Sequence, residues 1–122
     1  MKFQLWLPIL LIASTSAGGS EALSLRASPR SSFAPSNLQI LVRLAPDDGN
    51  RSLTIEANSD DFYRMSEIPL EGGRAPRSVL VAFRALPGGS YQVTASLFGS
   101  RGERRAQAQQ EIIVLSAGTD LR

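Results

Sequence analysis

Hydrophobic and polar residues alternate with a period of two along most of the chain beyond residue 22. In Asn37–Leu44, Leu38, Ile40, Val42 and Leu44 share one side, and Gln39, Leu41 and Arg43 the other. Arg51–Asn58 sets Leu53, Ile55 and Ala57 against Thr54 and Glu56. Arg77–Arg84 supplies Val79, Val81 and Phe83, and Tyr91–Phe98 sets Tyr91, Val93, Ala95 and Leu97 against Gln92, Thr94 and Ser96. Arg105–Leu115 offers Ala106, Ala108, Ile112 and Val114, a series that Gln110 interrupts. Successive side chains on a strand point to opposite faces, so each segment predicts a half-buried strand. Ser24–Ala27 predicts an N-terminal edge strand stopped by Pro29. Phe62–Ser66 predicts a short extra strand ahead of the Gly72-Gly73 turn, and Ser28–Ser36 a plain connection. No segment presents a helical face.

Turn residues punctuate this pattern. Ala45-Pro46-Asp47-Asp48-Gly49-Asn50 separates two strands, Leu86-Pro87-Gly88-Gly89 precedes Tyr91, and Gly99-Ser100-Arg101-Gly102-Glu103 predicts the last hairpin. The expected fold is all-β: one antiparallel β-sandwich of about seven strands over residues 23–115, with 116–122 as a flexible tail.

One stretch is more specific. Leu86-Pro87-Gly88-Gly89-Ser90-Tyr91-Gln92-Val93-Thr94-Ala95, followed by Gly102 and Ile112-Ile113-Val114, resembles the last hairpin of immunoglobulin-like, fibronectin type III-like and PKD-like domains. The resemblance covers about 30 residues closely and the upstream strands by spacing. It implies an Ig-like sandwich and a tyrosine corner, in which the Tyr91 ring fills the core and its hydroxyl reaches the preceding turn. The chain departs from these families in lacking a cysteine pair, a tryptophan beyond Trp6 and a WDFGDG segment.

Residues 1–22 read differently. Lys2 precedes the apolar run Leu5–Ala13, and small residues follow from Ser14 to Gly19. That is the pattern of a secretory signal peptide, with cleavage after Ala17 or after Ala22. The run is shorter than the roughly 20 residues a membrane-spanning helix needs, so no stable anchor is expected after cleavage. The predicted location is secreted or periplasmic.

Charge changes the picture little. The chain carries 13 Lys+Arg and 11 Asp+Glu. Cleavage would remove Lys2, the only lysine, leaving a net charge of +1 from Gly18 or +2 from Leu23. This balance gives no support to nucleic-acid binding. The sequence contains neither His nor Cys, which removes Ser-His and Cys-His catalysis and Cys/His zinc sites. Paired carboxylates and all-oxygen metal sites remain. The reading at this level is not an enzyme, with no cofactor.

Candidate contacts lie at two places. Arg101, Arg104 and Arg105 cluster at the last hairpin, and Asp47 and Asp48 are expected to face Arg101 and Arg104 across one end of the sandwich. Phe62, Tyr63 and Arg64 fall at an edge, where adjacent side chains point in opposite directions. The acidic clusters Asp47-Asp48 and Asp60-Asp61 bracket one strand, about 23 Å apart at 3.3 Å per residue, too far to share an ion. Asn50-Arg51-Ser52 is a glycosylation sequon in a predicted surface turn. The functional expectation is a non-enzymatic Ig-like interaction module for an extracellular or envelope protein. The alternative is an accessory domain binding a surface glycan or a calcium ion.

Overall fold

The computed structural model describes residues 22–116. Its strands are β1 (Leu23–Ser28), β2 (Ser31–Phe33), β3 (Ser36–Leu44), β4 (Ser52–Asn58), β5 (Tyr63–Pro69), β6 (Ser78–Leu86), β7 (Gly89–Phe98) and β8 (Arg104–Leu115). A 3-10 turn, Gly72–Arg74, lies between β5 and β6. The fold is all-β. The predicted signal segment and most of the predicted tail lie outside the described residues.

Two sheets share the strands. One has the order β1-β3-β6, the other β2-β8-β7-β4-β5. Every pairing is antiparallel except β2 with β8, which is parallel. The inward sides of both sheets meet in one core, where Leu38, Ile40, Leu53, Ile55, Tyr91, Val93 and Ile112 are almost fully buried. The alternation read from the sequence is what drives this arrangement: one face of each strand leaves water at about 25 cal/mol per Å² of apolar surface.

There are eight strands where about seven were expected. The additional one is β2, inside the segment expected to be a plain connection. Its three residues, Ser31, Ser32 and Phe33, carry no alternating apolar pattern, and their parallel pairing with Ile113–Leu115 holds them. β5 also starts one residue later than expected and runs on to Pro69, because the whole of β4 is available to pair with it.

The crossovers fix the two ends of the molecule. The Pro46–Asn50 turn, the Gly99–Glu103 hairpin and the Gly72–Arg74 turn form one end. Gly72 has φ 61°, and a Cβ there would stand 2.8 Å from the Asp48 carbonyl oxygen. Only glycine fits that approach without strain. The opposite end gathers Ser59–Phe62 and Pro87–Gly89, with Gly89 backed onto Ser59.

Candidate functional site

At the hairpin end, Arg105 rather than Arg101 or Arg104 meets the acidic turn. Its guanidinium lies 3.0 Å from Asp47 Oδ1 and 4.0 Å from Glu103 Oε2. Asp47 Oδ1 also accepts the Gly49 N–H at 2.7 Å, which closes the turn. Arg101 and Arg104 are exposed and form no ion pair among the described residues. Glu103 accepts the Arg101 N–H at 3.0 Å. Backbone N–H groups of Glu103 and Arg101, foremost, hold its carboxyl below the usual range.

Asn50 does not sit on the surface, as its turn position predicted. It is 2% exposed, and its side-chain amide donates to the Ala45 carbonyl at 3.2 Å. Its own carbonyl accepts from the Gly72 N–H at 3.0 Å and from Arg51 Nη1 at 2.9 Å. The residue stitches two loops together, and the folded chain offers no free amide there to an enzyme adding a glycan.

At the opposite end, the three residues Phe62, Tyr63 and Arg64 separate as strand geometry requires. Phe62 packs edge-on against the Tyr91 ring, centroids 6.3 Å apart at 75°. The Arg64 guanidinium lies 5.2 Å from the Phe62 centroid and donates to the Arg84 carbonyl at 2.8 Å, linking the edges of the two sheets. Tyr63 points outward and is 54% exposed, beside Met65 at 47%. Its phenol lies above the ordinary value because of partial desolvation and, next, the neighbouring Glu56 carboxylate. Tyr91 is buried, and its hydroxyl donates to the Pro87 carbonyl at 2.7 Å. Burial raises the pKa of that phenol as well.

The candidate residues therefore form two separate places, one at each end of the sandwich. Among the described residues, no three of Asp, Glu, His or Cys converge as a metal site. Two residues that organise these ends escape a reading of the sequence: Gln110 as a partner of β1, and Asn50 as a buried link. The break in alternation at Gln110 was the visible signal for the first, and none existed for the second.

No family model matches the chain, and no curated protein matches it in sequence. Solved structures do resemble it. A superoxide reductase (neelaredoxin) from Ignicoccus hospitalis matches with TM-score 0.61 and 17% identity, over 79% of this chain and 82% of that one. A variant of the same reductase matches with TM-score 0.59 at 17% identity, over 80% and 82%. A family 76 glycoside hydrolase from a bovine Bacteroides thetaiotaomicron strain matches with TM-score 0.53 at 12% identity, over 80% of this chain but 20% of that one.

These likenesses correct three expectations. The neighbours matched over most of their own length are superoxide reductases, so the immunoglobulin-like and fibronectin type III-like assignment is replaced by likeness to that β fold. The expectation of a non-enzymatic interaction module, with glycan or calcium binding as its alternative, is overturned, because the same fold houses an enzyme. The reading "not an enzyme" falls with it, since neither this fold nor this size argues against catalysis. The physical reason is that alternation and turn spacing specify sheets and a shared core, and unrelated functions are built on one such frame.

The likeness extends to the fold alone. Superoxide reduction moves an electron and needs a redox centre, and protein ligands for redox metals are chiefly Cys, His, Met and carboxylates. This sequence has no His or Cys, and its acids do not gather in threes among the described residues. The described residues do not fit a resident redox metal.

Proposed function

We propose that this chain is exported and acts outside the cytoplasm in a complex with an extracellular or envelope protein. Export is supported by the charged, apolar and small-residue succession over residues 1–22. The neelaredoxin-like frame enters as scaffold, and superoxide turnover is not carried over, because the chain has no His or Cys and its acids do not gather in threes among the described residues.

The observation that carries the partner is the outward pair Tyr63 and Met65 on β5. This strand is at the edge of the five-stranded sheet and has no neighbour on its far side among the described residues. An edge strand with exposed apolar side chains is a ready surface for association. Arg101 and Arg104, exposed at the other end, offer a second contact for an acidic group.

Site-specific photo-crosslinking in the producing cell tests this. A photoreactive side chain at Tyr63 is expected to give one discrete protein adduct in the extracytoplasmic fraction. Met65→Asp should abolish it, and a probe at Ser24 on the other sheet should not produce it. Retention of the chain in the cytoplasm, or the absence of a Tyr63-specific adduct, would overturn the proposal.

A further inference from the structure

The two outward faces of the sandwich carry opposite charge. On the three-stranded sheet, the outward positions include Arg26, Arg43 and Arg84, all exposed, and no Asp or Glu. On the five-stranded sheet they include Glu56, Glu67 and Glu111. Of the basic residues on its strands, Arg64 on β5 turns to the Arg84 carbonyl, and Arg104 and Arg105 stand at the hairpin rim, where Arg105 is paired with Asp47. None of the three arginines and three glutamates is in an ion pair among the described residues.

The arginine face is also partly apolar. Leu41 pairs with Leu80 across β3 and β6, and Leu80 is 64% exposed. Arg26 stands directly across β1 from Leu41. The acidic face has its own apolar element in Met65, whose cross-strand neighbour is Glu56.

The charges match in spacing as well as sign. Arg43 is registered with Ser78, and from there to Arg84 the strand runs six residues, about 20 Å at 3.3 Å each. Glu67 is registered through Thr54 and Ser96 with Gln107. Gln107 precedes Glu111 by four residues on β8. Three strand spacings and four residues give a diagonal of roughly 20 Å.

We propose that this chain self-associates head to tail, the arginine face of one copy docking on the acidic face of the next. A second copy is the occupant because it carries the complementary charge at the matching spacing. Such a heterologous contact leaves one free face on each end and therefore grows into short chains rather than closing as a two-fold dimer. The three-stranded face measures roughly 15 by 30 Å, well below the about 800 Å² per partner of a standard stable interface. The association is accordingly weak, concentration-dependent and screened by salt.

Sedimentation of the purified protein over a concentration series, at low and high salt, tests the proposal. The wild type is expected to form oligomers at low salt that dissociate as salt rises. Arg43→Glu with Arg84→Glu should be monomeric, and so should Glu67→Arg with Glu111→Arg. The variant carrying all four changes has the wild-type net charge and swapped faces, and it should associate again. Thermal melts confirm that each variant is folded. A wild type that stays monomeric at low salt would overturn the proposal, as would undiminished association in either double variant. A folded four-fold variant that remains monomeric would do the same. A monomeric wild type that sediments with phosphatidylglycerol vesicles would assign the arginine face to an anionic membrane instead. None of these readouts depends on the Tyr63 adduct, so this proposal and the partner complex stand or fall separately.

Discussion

The side-chain amide of Gln110 pairs with both backbone groups of Ala27, donating to its carbonyl at 2.7 Å and accepting its N–H at 3.0 Å. β1 is the edge of the three-stranded sheet, so these two groups of Ala27 face away from β3 with no strand to receive them. Both residues are buried. One polar side chain in the core thus satisfies both backbone groups of an edge-strand residue and joins the two sheets, where an open edge would invite pairing with another chain.

Replacing Gln110 with Leu keeps much of the volume and leaves the Ala27 N–H and C=O buried without partners. The expected loss is roughly 2 to 4 kcal/mol, since a buried unsatisfied group costs more than a hydrogen bond contributes. The midpoint of urea unfolding measures it. An unchanged midpoint would mean that β1 finds water or another partner along that edge.

Tyr91→Phe removes the hydroxyl with its hydrogen bond to the Pro87 carbonyl and keeps the ring contact with Phe62. About 1 kcal/mol of stability should be lost at neutral pH. The phenol is raised mainly by burial, so the folded state holds its proton more tightly than the unfolded one. Stability from this group is therefore complete below the unfolded value near 10 and falls as pH rises through the higher folded value. The wild type should lose stability above about pH 10 more steeply than Tyr91→Phe, in which Tyr63 still titrates. Parallel pH profiles of the two proteins would contradict this.

Much of the sandwich was legible because alternation reports burial directly. Leu38, Ile40 and Val42 point inward as their spacing required, and the hairpin from β7 to β8 falls where Gly99 and Gly102 place it. The residues that escaped reading are those whose role depends on a distant partner. Gln110 looked like a flaw in its strand until the free edge of β1 came against it. Asn50 looked like a surface turn residue, but Gly72 arrives from a later loop and covers it. Arg105 took the Asp47 contact expected for Arg101 or Arg104, because a register shift between Leu97 and Phe98 decides which arginine faces the turn. Function was least legible: residues specify the frame, and the same frame carries different chemistry in different proteins.

Ala85 occupies the left-handed region at φ 59°, with its N–H donated to Asn37 Oδ1 at 3.0 Å. A Cβ in that region costs roughly 1 to 2 kcal/mol, part of which glycine gives back as greater freedom in the unfolded chain. Ala85→Gly should therefore stabilise by about 0.5 kcal/mol. Ala85→Val should destabilise by at least about 1 kcal/mol, since a β-branched side chain fits this conformation worst. Thermal melts of the pair decide it, and Val at least as stable as Gly would show that the end of β6 resets its backbone.

Asp47 holds its turn in two ways, and the two can be separated. Its carboxylate caps the Gly49 N–H at 2.7 Å and pairs with Arg105 at 3.0 Å, with the Asp47 and Arg105 side chains 52% and 32% exposed. At that exposure the ion pair is worth at most about 1 kcal/mol and weakens with salt. Arg105→Ala should accordingly cost under about 1 kcal/mol, and less again at about 1 M salt. Asp47→Asn keeps an oxygen for the Gly49 N–H and should resemble Arg105→Ala. Asp47→Ala loses both contacts and should cost about 1 kcal/mol more than Asp47→Asn, a difference that salt does not remove. Equal losses for Asp47→Ala and Asp47→Asn in urea unfolding would place all of the stabilisation in the ion pair and none in the turn.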